Sequence, residues 1–556
     1  MTFISRKFPP QLQWSLAIVF LIAAILPVFV YTMHIRRPWF GILSKDKHQW
    51  STASTMKFTE YWLRESPAKL KFGLIENPRS VEMPTLQSRV PYQSYPPGTI
   101  IGVYIFCRVL HRDPTAALVM SYNLANHLAV TIVLALTVLF FFYFRRENIF
   151  LSFLFALLPA AVYLLLPGPL YYHQNVFFSD AAIILPFALI LFLELCRDNC
   201  RSPKARMVID VLLTLVFIGG ILTDWFILCV AGCLFVKRWV TGEMRGVSLR
   251  QTVGRIFLFW LPFFTVIAVF ILQLYVLGIL GKVKERVGEH TGLFKAKGEF
   301  NFTIFFKEKF WPEHIVDYFG HYGPAIIQGM FAALLILLAA LLFCRMTRRR
   351  VPDAVRQIAG LGSLALFPCY LYTYALKGHA AIHGFTAMKF AIPVCLMLFV
   401  LLPYLFFFVL PSELWGRRPH PLTLWVLFLI CAALTFVYLK KEHPRYAKMF
   451  PAPFPLFETL GKFFRENTLY QDMVFSPDGM IGFNPPQYLA YTGKRMYEFH
   501  KIWHIYYMTR EIHEPFDIDI MIIDPASVDA ELAVFLKQAY VMRQLGPMRL
   551  YKIHGQ

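Results

Sequence analysis

From Gln13 to Met33 the chain reads QWSLAIVFLIAAILPVFVYTM, and from Arg36 to Pro67 it continues RRPWFGILSKDKHQWSTASTMKFTEYWLRESP. The first stretch has no Lys, Arg, Asp or Glu, and its length suits a helix crossing a hydrocarbon core of about 30 Å. No small-residue cleavage site follows, so it reads as a retained span and not as a signal peptide. The second stretch lacks Gly and Pro between Lys47 and Glu65, and Trp50, Ser54, Phe58, Tyr61 and Trp62 return at near-helical spacing. Trp and Tyr flanked by Lys suit a helix lying in the headgroup layer. Asp46 stands at the start of that helix. As an N-cap it would accept backbone N–H bonds; as a carboxylate at the bilayer surface it could take a proton from a hydroxyl.

The rest of the composition agrees with a membrane setting. The 556 residues are 57% hydrophobic and 17% aromatic, with 16% charged and a mean hydropathy of +0.51. A soluble domain is about one quarter charged, so a cytosolic protein, a disordered chain and a small disulfide scaffold are all excluded. Apolar runs begin near Gln13, Thr115, Ile149, Asp180, Met207, Phe226, Ile256, Pro324, Gln357, Phe390 and Pro421, which predicts about eleven spans. The expected fold is an all-α polytopic membrane domain over residues 1–440, with interfacial helices. A small α/β extracytoplasmic domain over 441–556 follows it.

A formal charge of +21 invites a nucleic-acid reading, but the placement of the charges removes it. With the N-terminus in the cytoplasm, alternate loops carry Arg145 and Arg146, then Arg197 to Arg206, then Lys237 to Arg255. Arg345 to Arg356 and Arg417 with Arg418 complete the set. The short loops on the other side hold almost none. That is the positive-inside pattern, so the basic excess reports orientation. The first loop (residues 34–96), the segment 281–323 and everything after Lys440 then lie outside, which in a bacterium is the periplasmic face of the inner membrane.

Further signals come in order along the chain. PYQSYPPGTIIGVYIF, Pro91 to Phe106, places a double-proline bend before an apolar helix, Thr99–Leu110, that is too short to span. PLYYHQNVFFSDAAIILPF, Pro169 to Phe187, puts Asp180 at the start of a span, and GGILTDWFI puts Asp224 between two apolar runs. An ionisable group at membrane depth is costly unless it is paired or faces water. After Lys440, prolines at 444, 451, 453 and 455 mark a linker. Beyond it a strand is expected in DMVFSPDG, a helix over Gly493–Glu514, a strand in FDIDIMIIDP, a helix over Val528–Leu545 and a last strand in MRLYKI.

Taken together, these features resemble the GT-C membrane glycosyltransferases, nearest the protein O-mannosyltransferase and aminoarabinose-transferase branch. Asp46 matches the acid that follows the first span, Pro96-Pro97-Gly98 matches the proline motif, and Asp180 matches the acid that opens a later span. Lys47 stands where a second acid is expected, Gly98 where a leucine is, and Met388-Lys389-Phe390 where an Arg-Tyr segment is. The resemblance implies transfer of a sugar from a polyprenyl-phosphate carrier to a hydroxyl of a lipid, glycan or protein acceptor, on the outer face of the bilayer. Such a donor needs no nucleotide-binding domain, and the chain has no glycine fingerprint for one.

That chemistry asks for a base, cationic or N–H groups for the departing phosphate, and a surface for the sugar. Asp46 is the expected base. A single carboxylate suffices for direct attack with inversion, because a phosphate leaves readily once its charge is stabilised. For the phosphate, LKGHAAIHGFTAMKF offers Lys377, His379, His383 and Lys389, and Arg89 precedes the proline motif. Tyr95, Tyr172, His173, Asp180 and Asp224 are candidates for sugar or acceptor contact. The spacing of His379 and His383 would suit a zinc pair, but no Glu follows as in HExxH and no third ligand is evident. No metal site is assigned, and a divalent cation stays open as a cofactor. The basic segment 281–314 reads as a lid or a headgroup-binding loop. Two rival readings remain: a ligase or polymerase using a lipid diphosphate, and a lipid or sugar transporter, which would need polar groups at mid-membrane.

Overall fold

Hydropathy is translated directly into helix. The computed structural model describes residues 10–44, 48–79, 83, 85–291, 306–411, 421–445, 449, 456–467, 473–476, 486–493, 496–498, 517–522, 530–537, 540–545 and 548–554. Asp46 lies outside them.

The chain opens with α1, Pro10–Arg36. Next come α2, Trp50–Glu65, and the short α3, Gly98–Leu110, whose thirteen residues cannot cross a bilayer. Then follow α4, Ala116–Phe144, and α5, Ile149–Leu165, with α6, Pro167–Asn175, turned 61° from α5 at the Leu166–Pro167 step. Pro167 cannot continue the hydrogen-bond ladder of α5, which breaks there. The helix α7, Ser179–Asn199, is followed by α8, Pro203–Ile221, α9, Phe226–Val240, and α10, Leu249–Val276. After α11, Leu280–Thr291, and a π-helical stretch, Phe306–Ile315, come α12, Gly323–Met346, and α13, Asp353–Ala375. A short α14, Lys377–Ile382, leads into α15, Gly384–Val409, and then α16, Pro421–Glu442.

Among the described residues eight of these helices are long and apolar enough to span, and the bent α5–α6 pair makes nine. The two other runs of the expected eleven are α8 and α9. They are shorter, and α8 carries Lys204, Arg206 and Asp210 in its first turns. Because they form a consecutive pair, counting both or neither as spans leaves every later loop on the same side.

Two expectations change. The helix α2 begins at Trp50 with Gln49 at its N-cap, so the cap position falls three residues after Asp46 in the sequence. Nor does α2 lie open in the headgroup layer: Ser51 to Thr59, Tyr61 and Trp62 are buried. Thr52 and Thr55 explain this, because their hydroxyls donate to the carbonyls of Asn175 and Phe177 at 2.7 Å each, zipping α2 onto the strip between α6 and α7. The segment from Gly168 to Ser179, one of the short loops that the charge pattern assigns to the outer side, is likewise a buried helix and turn.

The C-terminal region folds as a small α/β unit. It contains α17, Leu456–Asn467; β1, Met473–Ser476; α18, Pro486–Thr492; β2, Met496–Glu498; β3, Asp517–Ile522; α19, Ala530–Leu536; β4, Tyr540–Leu545; and β5, Met548–His554. The sheet order is β2-β1-β3-β5-β4, with β1 parallel to β2 and β3, and β5 antiparallel to β3 and β4. The three expected strands are present. The two expected helices are not as drawn: β2 begins within the first, whose remainder after Glu498 lies outside the described residues. The second stops at Leu536 and gives way to β4, where YVMRQL pairs with β5 as a hairpin. Short apolar runs are ambiguous between helix and strand, and here cross-strand pairing decides.

Candidate active site

The centre of the site is assembled at one end of the helical bundle by four chain segments. The first is the Pro96-Pro97-Gly98 bend. Gly98 donates its N–H to the Leu222 carbonyl at 2.7 Å, and a Cβ at this position would stand 2.4 Å from that oxygen. Glycine is therefore required for the bend to reach the α8–α9 turn. Beside it, the Trp225 indole N–H donates to the Ser94 carbonyl at 2.8 Å. These contacts fix Tyr95 and Asp224 relative to each other.

Asp224 occupies the turn itself, and its Oδ1 accepts the Phe226 N–H at 2.8 Å, opening α9. Asp180 is delivered by the first turn of α7. Lys389 comes from the tight 3-10 turn Gly384–Phe390 that begins α15, and its carbonyl accepts from Cys369 Sγ at 3.2 Å. All three side chains are buried, and the Lys389 ammonium joins them: it hydrogen-bonds Asp180 Oδ1 and stands 3.5 Å from Asp224 Oδ2. It also lies 4.3 Å from the centre of the Tyr372 ring. Two acids against one lysine is the arrangement that makes buried charge tolerable, and removing one member leaves the others uncompensated.

A row of aromatic and imidazole groups continues from this triad. His379 Nε2 is 3.7 Å from Asp180 Oδ2 and 3.2 Å from the Tyr95 hydroxyl, which is in turn 3.2 Å from the Tyr372 hydroxyl. His290 stacks on His379 with ring centres 5.1 Å apart, and His379 and His383 are 4.7 Å apart. His383 stacks on Phe385, and Trp50 packs 5.6 Å from the His383 ring. His48 meets Phe385 at 5.0 Å and His383 at 6.3 Å. His48 is two residues from Asp46 in the chain. Burial pushes His48 down to about 4 against the pull of the Asp180 carboxylate, and pushes His383 down to about 3. Both are neutral imidazoles near pH 7, each with one N–H to donate. The buried His379 Nδ1 has no hydrogen-bond partner among the described residues, which leaves a polar atom open to an incoming group.

Of the residues expected from sequence, Tyr95, Asp180, Asp224, His379, His383 and Lys389 are brought together here. Lys377 is half-buried at the start of α14, two residues before His379. Arg89 is elsewhere: its guanidinium is forked onto Glu65 at 2.8 and 2.9 Å and donates to the Asn77 carbonyl at 3.0 Å. Tyr172 stacks on Tyr318 with ring centres 5.4 Å apart. His173 belongs to a second buried cluster, hydrogen-bonded to the Tyr163 hydroxyl and stacked on His127 at 4.7 Å. Arg36 reaches His127 Nδ1 at 3.2 Å in the same cluster. Sequence reading missed His48, His290 and Tyr372 at the site and Arg36 in the second cluster. The signals that the sequence offers for them are the nearness of His48 to Asp46 and the position of Arg36 at the end of an apolar span.

The opposite end of the bundle is ionic as well. Glu194 pairs with Lys237 at 2.9 Å and Arg238 at 2.6 Å, Lys237 reaches Asp198 at 2.6 Å, and Arg197 bridges Asp210 and Glu243. Among the described residues no group of three or more His, Cys, Asp or Glu side chains is placed to hold a metal ion, and Lys389 fills the gap between Asp180 and Asp224.

No family model and no curated protein matches the sequence. Among solved structures the chain is similar to the oligosaccharyltransferase of Archaeoglobus fulgidus in complex with zinc and sulfate. The TM-score is 0.51 at 10% identity, over 93% of this chain and 71% of that one. It also aligns with ArnT from Cupriavidus metallidurans bound to undecaprenyl phosphate, at a TM-score of 0.48 and 11% identity over 96% of this chain and 97% of that one. The archaeal likeness shows a shared fold.

Proposed function

We propose that the protein is a membrane glycosyltransferase that moves a sugar from a polyprenyl-phosphate donor to a hydroxyl acceptor. The carrying observation is the contact of His48 and Trp50 with His383 and Phe385, which ties the segment bearing Asp46 to the end of the bundle where Asp180, Asp224, Lys389, His379 and Tyr95 converge. The fold shared with a solved oligosaccharyltransferase supports the same reading.

In this account Asp46 removes the proton of the acceptor hydroxyl as the oxygen attacks the anomeric carbon, and the C–O bond to the donor phosphate breaks with inversion. The released dianion needs donors and positive charge. His379, through its open Nδ1, together with His383 and Lys377, receives the phosphate, and the Lys389 charge stands behind them, held by Asp180 and Asp224. Tyr95 and the two acids face the sugar. Arg89, forked onto Glu65, braces the first loop, and Tyr172 and His173 support the wall of the acceptor path. We further read residues 1–440 as the membrane domain and 441–556 as a periplasmic domain, with the N-terminus cytoplasmic and the chain in a bacterial inner membrane. The ionic end around Glu194 is then cytoplasmic.

The test is to incubate purified protein with candidate polyprenyl-phosphate sugars and a hydroxyl acceptor, and to identify the lipid product by mass spectrometry. Release of polyprenyl monophosphate with sugar transfer supports the proposal. Release of the diphosphate identifies the ligase reading, and movement of intact donor across vesicles without consumption identifies a transporter.

A further inference from the structure

The C-terminal unit touches the membrane domain next to the Asp46 segment. The helix α18 has two faces: Tyr488 and Leu489 pack into the small core with Leu460, Phe464, Val474 and Leu550, whereas Ala490 packs into the core of the helical bundle. Gly461 locks α18 to α17, since a Cβ there would stand 2.6 Å from the Tyr491 carbonyl. On the bundle-facing side, the buried Gln487 donates from Nε2 to the Ser44 carbonyl at 3.3 Å, across 443 residues of chain. The other side of the same residue is held too, because the Ser44 N–H donates to Gln49 Oε1. Gln49 Nε2 in turn donates to the Tyr171 hydroxyl at 3.4 Å. Asp46 lies between Ser44 and Gln49 in the sequence, so both ends of its segment are tied to buried partners.

We infer that Gln487 is a positioning residue for transfer: through its bond to the Ser44 carbonyl, the C-terminal unit sets the segment that carries Asp46. This rests on Asp46 as the base. A loosened segment misplaces the carboxylate by a fraction of an ångström to about 1 Å, an error that can lower turnover by about 100-fold. Donor binding, which uses groups on α14 and α15, is untouched.

The experiment uses the full-length protein with Gln487→Met, which keeps the volume and removes the donor, and Gln487→Ala. The expected result is a fall in kcat of about 10- to 100-fold with donor KM within about twofold. Amide hydrogen exchange should quicken over residues 43–49 and stay unchanged in β1 and in α4. In an Asp46→Asn background, Gln487→Met should remove none of the residual rate, because the two act through one carboxylate. Unchanged kcat, unchanged exchange over 43–49, or exchange that rises equally everywhere overturns the inference. If Asp46→Asn itself keeps full activity, it is the base assignment that fails, and the exchange result is then read separately.

Discussion

Asp180 and Glu194 ride on one helix, fourteen residues and about 20 Å apart, each buried and each answered by a cation from a later segment. Asp180 meets Lys389 of α15, and Glu194 meets Lys237 and Arg238 of α9. The helix therefore has two ionic poles with an apolar stem between them. The pole at Asp180 holds open polar atoms and a histidine row, whereas the pole at Glu194 is closed by its ion pairs with Lys237 and Arg238. In the proposed function the first is the working end and the second a bracing end.

The triad gives the first prediction. Lys389→Met leaves two buried carboxylates without their cation and should destabilise the protein by about 3–5 kcal/mol, with transfer abolished. The triple variant Asp180→Asn/Asp224→Asn/Lys389→Met removes the charges together and should recover most of that stability while staying inactive. Thermal unfolding in detergent alongside a transfer assay separates the two effects. Recovery of activity in the triple variant would count against a role for these charges in the reaction.

Gly98 gives the second. An alanine there meets the Leu222 carbonyl at 2.4 Å and the Thr223 amide nitrogen at 2.9 Å, both backbone atoms that cannot rotate aside. Gly98→Ala should cost about 1–3 kcal/mol and move Tyr95 away from His379. A melting temperature and activity equal to the parent's would show that the bend and the α8–α9 turn are not in contact.

The third concerns pH. His48 and His383 are held by burial at about 4 and about 3, below the ordinary value of 6.5. The unfolded chain thus binds protons that the folded chain refuses. Their contribution to stability is complete above pH 6.5 and is lost as pH falls from 6.5 towards 4. Melting temperatures measured between pH 8 and 4 should fall in that window, and His48→Gln should flatten the slope.

Much of this was legible in the residues. Every apolar run became a helix because backbone groups at membrane depth must be satisfied within the segment, so hydropathy and structure coincide. Asp180, Asp224, His379, His383 and Lys389 stood out as polar groups where polarity is expensive, and the structure gathers them. What escaped was set by tertiary contact. The start of α2 was displaced from Asp46 to Trp50, and its aromatic face was buried by the Thr52 and Thr55 bonds to Asn175 and Phe177. Arg89 looked like a free outer cation, and only the fold brings Glu65 to it. Residues 540–545 satisfy a helical pattern as well as a strand's, and the hairpin with β5 chooses between them.

A fourth prediction addresses orientation. In a background whose native cysteines are replaced, Lys377→Cys should react with a membrane-impermeant thiol reagent added to intact inner-membrane vesicles of right-side-out orientation. Arg245→Cys should react only after permeabilisation. The reverse pattern would put the histidine row in the cytoplasm, away from the leaflet the donor is read to occupy.

The central claim is that the segment between Ser44 and Gln49 supplies the base for sugar transfer. It is tested most directly by comparing purified Asp46→Asn with the parent protein, using a polyprenyl-phosphate sugar and a hydroxyl acceptor and measuring released polyprenyl phosphate. The account predicts a loss of about 100-fold or more with an unchanged melting temperature and unchanged donor binding. Transfer near the parent's rate by a folded Asp46→Asn protein would contradict it.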